Sequence, residues 1–205
     1  MEKRPDDRYA EMIRRVAIHE AGHVISAWYS RTGVTVKYTV LIAAVVGGRP
    51  VIGGLTQVPW RKFQPSPKMR DAWGYLVTLM GGIAAELRVL GRADPSGDPR
   101  SDLAVAAKVA GLMAWSAQFR ELRRRHRGLG CERLLDLIDR DQLEKDVMGL
   151  ISLALKDAGV IIRRRRSQFR KVSAALLERG FLNHDDLEEL IGRPPRPAKK
   201  APMLN

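Results

Sequence analysis

The segment Ile18-His19-Glu20-Ala21-Gly22-His23-Val24 sets two histidines four residues apart, with a glutamate directly after the first. On a helix, positions i and i+4 lie on one face with side chains about 6 Å apart. Two imidazoles at that separation can each give one ring nitrogen to a single Zn²⁺. Glu20 falls only ~60° from His23 around the helix, so it borders the metal face without joining the ligands. A carboxylate there can hold a water at the metal and take its proton, which is the chemistry of metal-assisted hydrolysis. The motif holds two of the chain's four histidines, and its glutamate is the only formal charge between Val16 and Ser30. A lone carboxylate on an otherwise uncharged, buried helix is costly without a partner, and water at a metal supplies one.

Catalytic zinc takes three protein ligands and keeps one position open. The third ligand must come from farther along the chain. Glu86, Asp94, Asp98 and Asp102 are the acidic candidates, and His126 and His184 are the remaining histidines. Spacing alone does not choose among them. Asp102 also reads as a helix N-cap, and Glu86 as a carboxylate that holds a ligating histidine in place.

The elements that must position these groups are mostly helical. Residues 7–31 form the helix of the motif, with Asp6 or Asp7 to cap it and Gly33 beyond its end. Val34, Val36, Tyr38 and Val40 alternate with Thr35, Lys37 and Thr39, the period of a strand. Gly47-Gly48 is a turn signal, Val51–Val58 a second strand, and Pro59–Pro67 a basic loop. Lys68–Leu90 reads as a helix with Gly81-Gly82 inside it. A Gly/Pro-containing loop at 91–100 follows, and Ser101 or Asp102 opens a helix to about His126. Helical periodicity covers 132–164 and 166–179, Gly180 stops it, and Asn183–Ile191 forms a short closing helix. The residues from 193 to 205 are Pro-rich and basic and are expected to be a disordered tail.

The 205 residues suffice for one domain with its own core. A second, ATPase-sized domain does not fit that length, and no GxxxxGK[ST] phosphate loop occurs. No apolar run is long enough to span a bilayer, and no signal peptide is legible. With Cys131 as the single cysteine, a cytoplasmic address is expected. The net charge of +13 gathers in Arg120, Arg123, Arg124, Arg125 and Arg127, in Arg163–Arg166, and in the tail. Four consecutive arginines span a whole helical turn, so they cannot form one groove-reading stripe. Solvated faces and a flexible end are the expected reading, and nucleic acid is not an expected partner.

His-Glu-Ala-Gly-His, then Gly53-Gly54-Leu55-Thr56, then Leu79-Met-Gly-Gly-Ile-Ala-Ala-Glu86, then Ser101-Asp102-Leu103 resembles, in order and spacing, the peptidase domain of FtsH, the ATP-dependent membrane zinc protease. The likeness continues through Ala174-Ala-Leu-Leu-Glu178 and covers about residues 8–192. It implies a mainly α, zincin-like helical metallopeptidase domain over residues 1–192, with a small N-terminal β-sheet. It implies Zn²⁺ held by His19, His23 and Asp102, Glu20 as general base, and Glu86 as a partner to a ligating histidine. Gly53, Gly54, Leu55 and Thr56 would form the strand offered to a substrate backbone. The implied activity is endopeptidase cleavage in a homo-oligomer, hexameric by the resemblance; without an ATPase of its own the chain is expected to cleave unfolded or flexible proteins, or to work with an AAA ATPase acting in trans. The sequence departs from the family at Ile83, where arginine is usual, and in a longer, more apolar stretch from Val40 to Ile52. Two other readings keep the fold: a protease specific for one regulatory partner, and an adaptor module that binds nucleic acid or an acidic protein.

Overall fold

A computed structural model of the chain describes residues 5–30, 35–46, 49–58, 69–93 and 101–196. In order these form α1 (Pro5–Tyr29), β1 (Tyr38–Val46), β2 (Arg49–Gln57), α2 (Met69–Leu90), α3 (Asp102–Arg125), α4 (Cys131–Asp136), α5 (Arg140–Arg164), α6 (Arg166–Arg179), β3 (Phe181–Asn183) and α7 (His184–Ile191). The molecule is mainly helical, with one small antiparallel sheet.

Helix α1 runs through the centre. Ala17, Ala21, Val24, Ile25 and Trp28 are buried, and the helix packs on α2, α5, α6 and the hairpin. Its crossing with α2 depends on two glycines. A Cβ on Gly22 would run into the Gly81 carbonyl and Ala85, and one on Gly81 would run into the Gly22 carbonyl and Ser26 Oγ. Glycine inside a helix costs roughly 0.5–1 kcal/mol against alanine. Here it lets two backbones meet, which brings the two motif-bearing helices side by side. Helices α3 and α5 complete the layer against α2, and Leu76, Met80, Ala110, Ala154, Ala158 and Ile162 fill the space between.

The sheet has the order β2-β1-β3. Strand β1 pairs with β2 along its full length, from Tyr38 opposite Gln57 to Val46 opposite Arg49. Strand β3 meets only Tyr38–Val40. The sheet is therefore not purely N-terminal, because its third strand comes from the chain's other end. Residues 181–183 are too few for a period to show. Gly180 turns the chain there with φ of 72°, donates its N–H to Leu176 O, and accepts from the Leu41 N–H at 2.8 Å. Asn183 then starts α7 through a capping box with Asp186. The α7 end is tied back to α1, where Trp28 Nε1 donates to Gly192 O at 2.9 Å and the Tyr29 hydroxyl donates to Ile191 O at 3.0 Å.

Two other expectations change. Helix α1 begins at Pro5, so Asp6 and Asp7 stand within it and not at its cap position. The span 132–164 is not a continuous helix, because α4 ends at Asp136 and α5 begins at Arg140. Asp139 caps the new start by accepting from the Gln142 N–H at 2.9 Å. The turn signal Gly47-Gly48, the loop Pro59–Pro67, the segment carrying Asp94 and Asp98, and the tail from 197 onward lie outside the described residues. No helix among the described residues is long and apolar enough to cross a membrane.

Candidate metal centre

His19 and His23 project from α1 toward the start of α3. Ser101 caps that helix, accepting from the Ala104 N–H, so Asp102 is its first residue and faces the two imidazoles. Asp102 Oδ2 lies 2.8 Å from His19 Nε2 and 3.0 Å from His23 Nε2. The donor atoms of these three residues lie within 4.8 Å of one another. Two ligands of a tetrahedral zinc ion stand about 3.3 Å apart, so the two Asp102 contacts need to open only slightly for the trio to hold one.

The other nitrogen of each ring is engaged too. His19 Nδ1 donates to Glu86 Oε1 at 2.6 Å, and His23 Nδ1 donates to the Thr78 carbonyl at 2.8 Å. With Nδ1–H committed on both rings, both Nε2 atoms face the same point, as a histidine ligand pair requires. Glu86 is held in turn, because Arg15 Nε and a terminal guanidinium nitrogen both donate to its Oε2, at 2.8 and 2.6 Å. Gly82 leaves the room His19 needs, since a Cβ at that position would overlap the imidazole.

The electrostatics follow from this packing. Burial alone would push the His19 imidazole down, but hydrogen bonds to Asp102 and Glu86 outweigh it and raise its pKa to about 10. His23 is raised as well, since the charge of Asp102 overcomes complete burial. Burial would lift Asp102, yet the two histidines hold its carboxyl well below the usual range. Glu86 is lowered against its burial by His19 and Arg15.

Glu20 is buried on the flank of the histidine pair, where Thr56 Oγ1 donates to its Oε2 at 2.6 Å. Thr56 also bonds Thr39 Oγ1 at 2.9 Å, which ties the carboxylate to two strands. Strand β2, an edge of the sheet, forms one wall of a cleft of about 790 Å³ over the centre. Gly54 packs directly on the Glu20 side chain, so closely that a Cβ would overlap it, whereas Gly53 meets nothing within 4 Å. Leu55 is on the opposite, exposed face. Tyr75 lines the cleft, and burial followed by the charge of Asp102 pushes its phenol up.

Of the sequence candidates, His19, His23 and Asp102 converge, and Glu86 stands behind His19. His126 instead caps the end of α3, and His184 bonds the Val36 carbonyl and packs on Trp28. Sequence reading passed over Arg15, Thr39, Tyr75 and Thr78. Arg15 lies one helical turn before His19, the only signal that it shares that face. The Thr78 contribution is a backbone carbonyl, which no side-chain pattern betrays.

No protein-family model matches the chain. Over 87% of its length it is 26% identical to the ATP-dependent zinc metalloprotease FtsH 1 of Rhodopirellula baltica, of which it spans 27%. Over 86% it is 28% identical to FtsH 1 of Symbiobacterium thermophilum, spanning 28% of that protein. Over 96% it is 29% identical to FtsH 3 of Sorangium cellulosum, spanning 31%. The chain is thus similar over most of its length to FtsH-type zinc metalloproteases, and spans about a quarter to a third of each.

Proposed function

We propose that this chain is a zinc-dependent metalloendopeptidase domain of the FtsH type, with His19, His23 and Asp102 as ligands and Glu20 as general base. The observation that carries this reading is the convergence of two imidazole nitrogens and one carboxylate oxygen within 4.8 Å, beside a buried glutamate. Two imidazoles and a carboxylate are a donor set suited to zinc, and the zinc metalloproteases it resembles agree with that choice. When bound, zinc supplies Lewis-acid polarisation of a carbonyl and acidifies water toward neutral pH.

The remaining roles fall to the chain. Glu20 takes the proton of the attacking water and delivers it to the leaving amine. Thr56 fixes one of its oxygens, and Gly54 leaves room for the other. Glu86, held by Arg15, keeps the His19 proton on Nδ1. The edge of β2 at Gly53–Thr56, unpaired among the described residues, takes the substrate as an added strand, where main-chain hydrogen bonds tolerate many sequences. An extended segment is needed for that pairing, so the substrates are unfolded or flexible chains, or chains that an ATPase acting in trans has unfolded. A hexameric assembly belongs to the same proposal.

Glu20→Gln tests the reading. The variant keeps the ligands and is expected to bind zinc normally while losing at least about 100-fold in casein cleavage. Undiminished cleavage by that variant would remove Glu20 from the mechanism.

A further inference from the structure

A second cavity, of about 650 Å³, opens where α1, α2, α5 and α6 meet. It shares no residue with the cleft over the candidate centre, although Ile18 lines the one and His19 the other. On α6, Arg166, Arg170, Ser173 and Leu177 recur every three or four residues and so present one face to it. Arg14, one turn before Ile18 on α1, and Arg88 on α2 line it from the neighbouring helices. The rest of the lining is largely apolar. Ile18, Ile162 and Phe169 are buried in it, and Val89 and Leu177 are each 43% exposed.

The charge around this cavity has one sign. Its lining holds four arginines and neither aspartate nor glutamate. Arginines elsewhere pair with a carboxylate in reach, as Arg15 does with Glu86, Arg179 with Asp186 and Arg193 with Glu188. Arg14, Arg88, Arg166 and Arg170 have no ion pair or side-chain hydrogen bond among the described residues. Four guanidinium groups around one cavity repel one another, and an anion among them relieves that repulsion. The guanidinium fork grips two oxygens at once and fits phosphate closely. Several forks around one space call for many anionic oxygens gathered together, as in a polyphosphate. A nucleic-acid strand spreads its phosphates along a line instead. The volume is that of a small-molecule site, and the apolar lining gives the ligand's body a place beside its charged end.

We infer that the cavity between α1, α2, α5 and α6 binds a small polyphosphorylated ligand with an apolar body, of the nucleoside polyphosphate class. Arg14, Arg88, Arg166 and Arg170 hold the phosphates, and Ile162, Phe169 and Leu177 take the body. The binding uses neither zinc nor any residue of the candidate centre, so it stands or falls apart from the peptidase reading.

The test is calorimetric titration of the full chain with adenosine triphosphate, guanosine triphosphate and inorganic tripolyphosphate, with sodium sulfate at equal ionic strength as the control. At least one nucleotide is expected to bind about one per chain, at least about tenfold more tightly than tripolyphosphate, because only it fills the apolar part of the cavity. Sulfate should not reproduce the binding. Arg88→Gln combined with Arg170→Gln should weaken nucleotide binding at least about tenfold. The melt of that variant without ligand should stay in place or rise, since both side chains are exposed and unpaired among the described residues. Arg14→Gln with Arg166→Gln gives a second, independent pair should the first disturb the melt. Binding no stronger than that of sulfate overturns the proposal. So does affinity unchanged by both double substitutions, which reduces the effect to the general charge of the protein. Tripolyphosphate binding as tightly as either nucleotide overturns the place given to the apolar body. Displacement of the nucleotide by a lower concentration of single-stranded oligonucleotide, or by phosphatidylglycerol vesicles, overturns it in favour of nucleic acid or of a lipid surface.

Discussion

Arg15 reaches the candidate centre through one intermediary. It fixes Glu86, and Glu86 fixes the proton on His19 Nδ1, leaving Nε2 to face Asp102 and His23. Loss of a carboxylate that orients a metal-binding histidine typically costs 10–100-fold in metal affinity. Arg15→Met is therefore expected to weaken zinc binding by about tenfold in competition with a chelating dye, and Arg15→Lys to recover most of it. Wild-type affinity in the methionine variant would show that Glu86 needs no anchor. The same contacts make stability depend on pH. The pKa of His19 rises from 6.5 to about 10, so its contribution is complete below 6.5 and is lost as the pH climbs through about 10. Chelator-treated protein should melt at progressively lower temperature across that window. Zinc-loaded protein should not, because ligation already requires the unprotonated rings. At this level the sequence was most legible where spacing is local. The pair His19 and His23 with Glu20 is one helical turn. Asp102 is 83 residues from His19, and its choice over Glu86 needs the α1–α2–α3 packing that no local pattern contains.

The helices and the hairpin act as spacers with set tolerances. Gly22 and Gly81 set the approach of α1 to α2, Gly82 makes room for His19, and Gly54 makes room for Glu20. Neighbouring glycines on β2 separate these roles. Gly54→Ala is expected to displace Glu20 and reduce peptide cleavage by at least about tenfold, as misplacement near an ångström commonly does. Gly53→Ala meets nothing and should leave cleavage unchanged. Equal loss in both would mean that β2 matters for pairing alone and not for room around the carboxylate. The amphipathic and uncharged helices were readable from composition and caps, as with Ser101 before α3 and Gly180 after α6. The interruption at 137–139 was signalled only by Asp139 and Gln142 three residues on, a cap pattern hidden within continuous helical periodicity. Strand β3 was not readable, because three residues gain strand geometry only from β1 beside them.

Over the whole molecule, the first and last of the described elements pack together. Strand β3 completes the sheet begun by β1, and Leu182, Leu187 and Ile191 are buried with the α1 residues Val24 and Trp28. The basic balance is spread over faces of different kinds. Arg124 and Arg125 are paired with Glu121, and Arg165 lies over the Tyr29 ring at 4.4 Å. The chain's total charge was plain from its composition, but the pairing of Arg124 and Arg125 with Glu121 and the seat of Arg165 on Tyr29 needed the fold. The central claim, a zinc peptidase built on His19, His23 and Asp102, meets its most direct test in a metal titration. The purified chain is stripped by chelator, zinc is returned in measured steps, and cleavage of unfolded casein is followed. Cleavage should vanish on stripping and return in full at about one zinc per chain, the stoichiometry of a single three-ligand site. Cleavage that survives complete removal of metal, or a chain that binds no zinc, would contradict it.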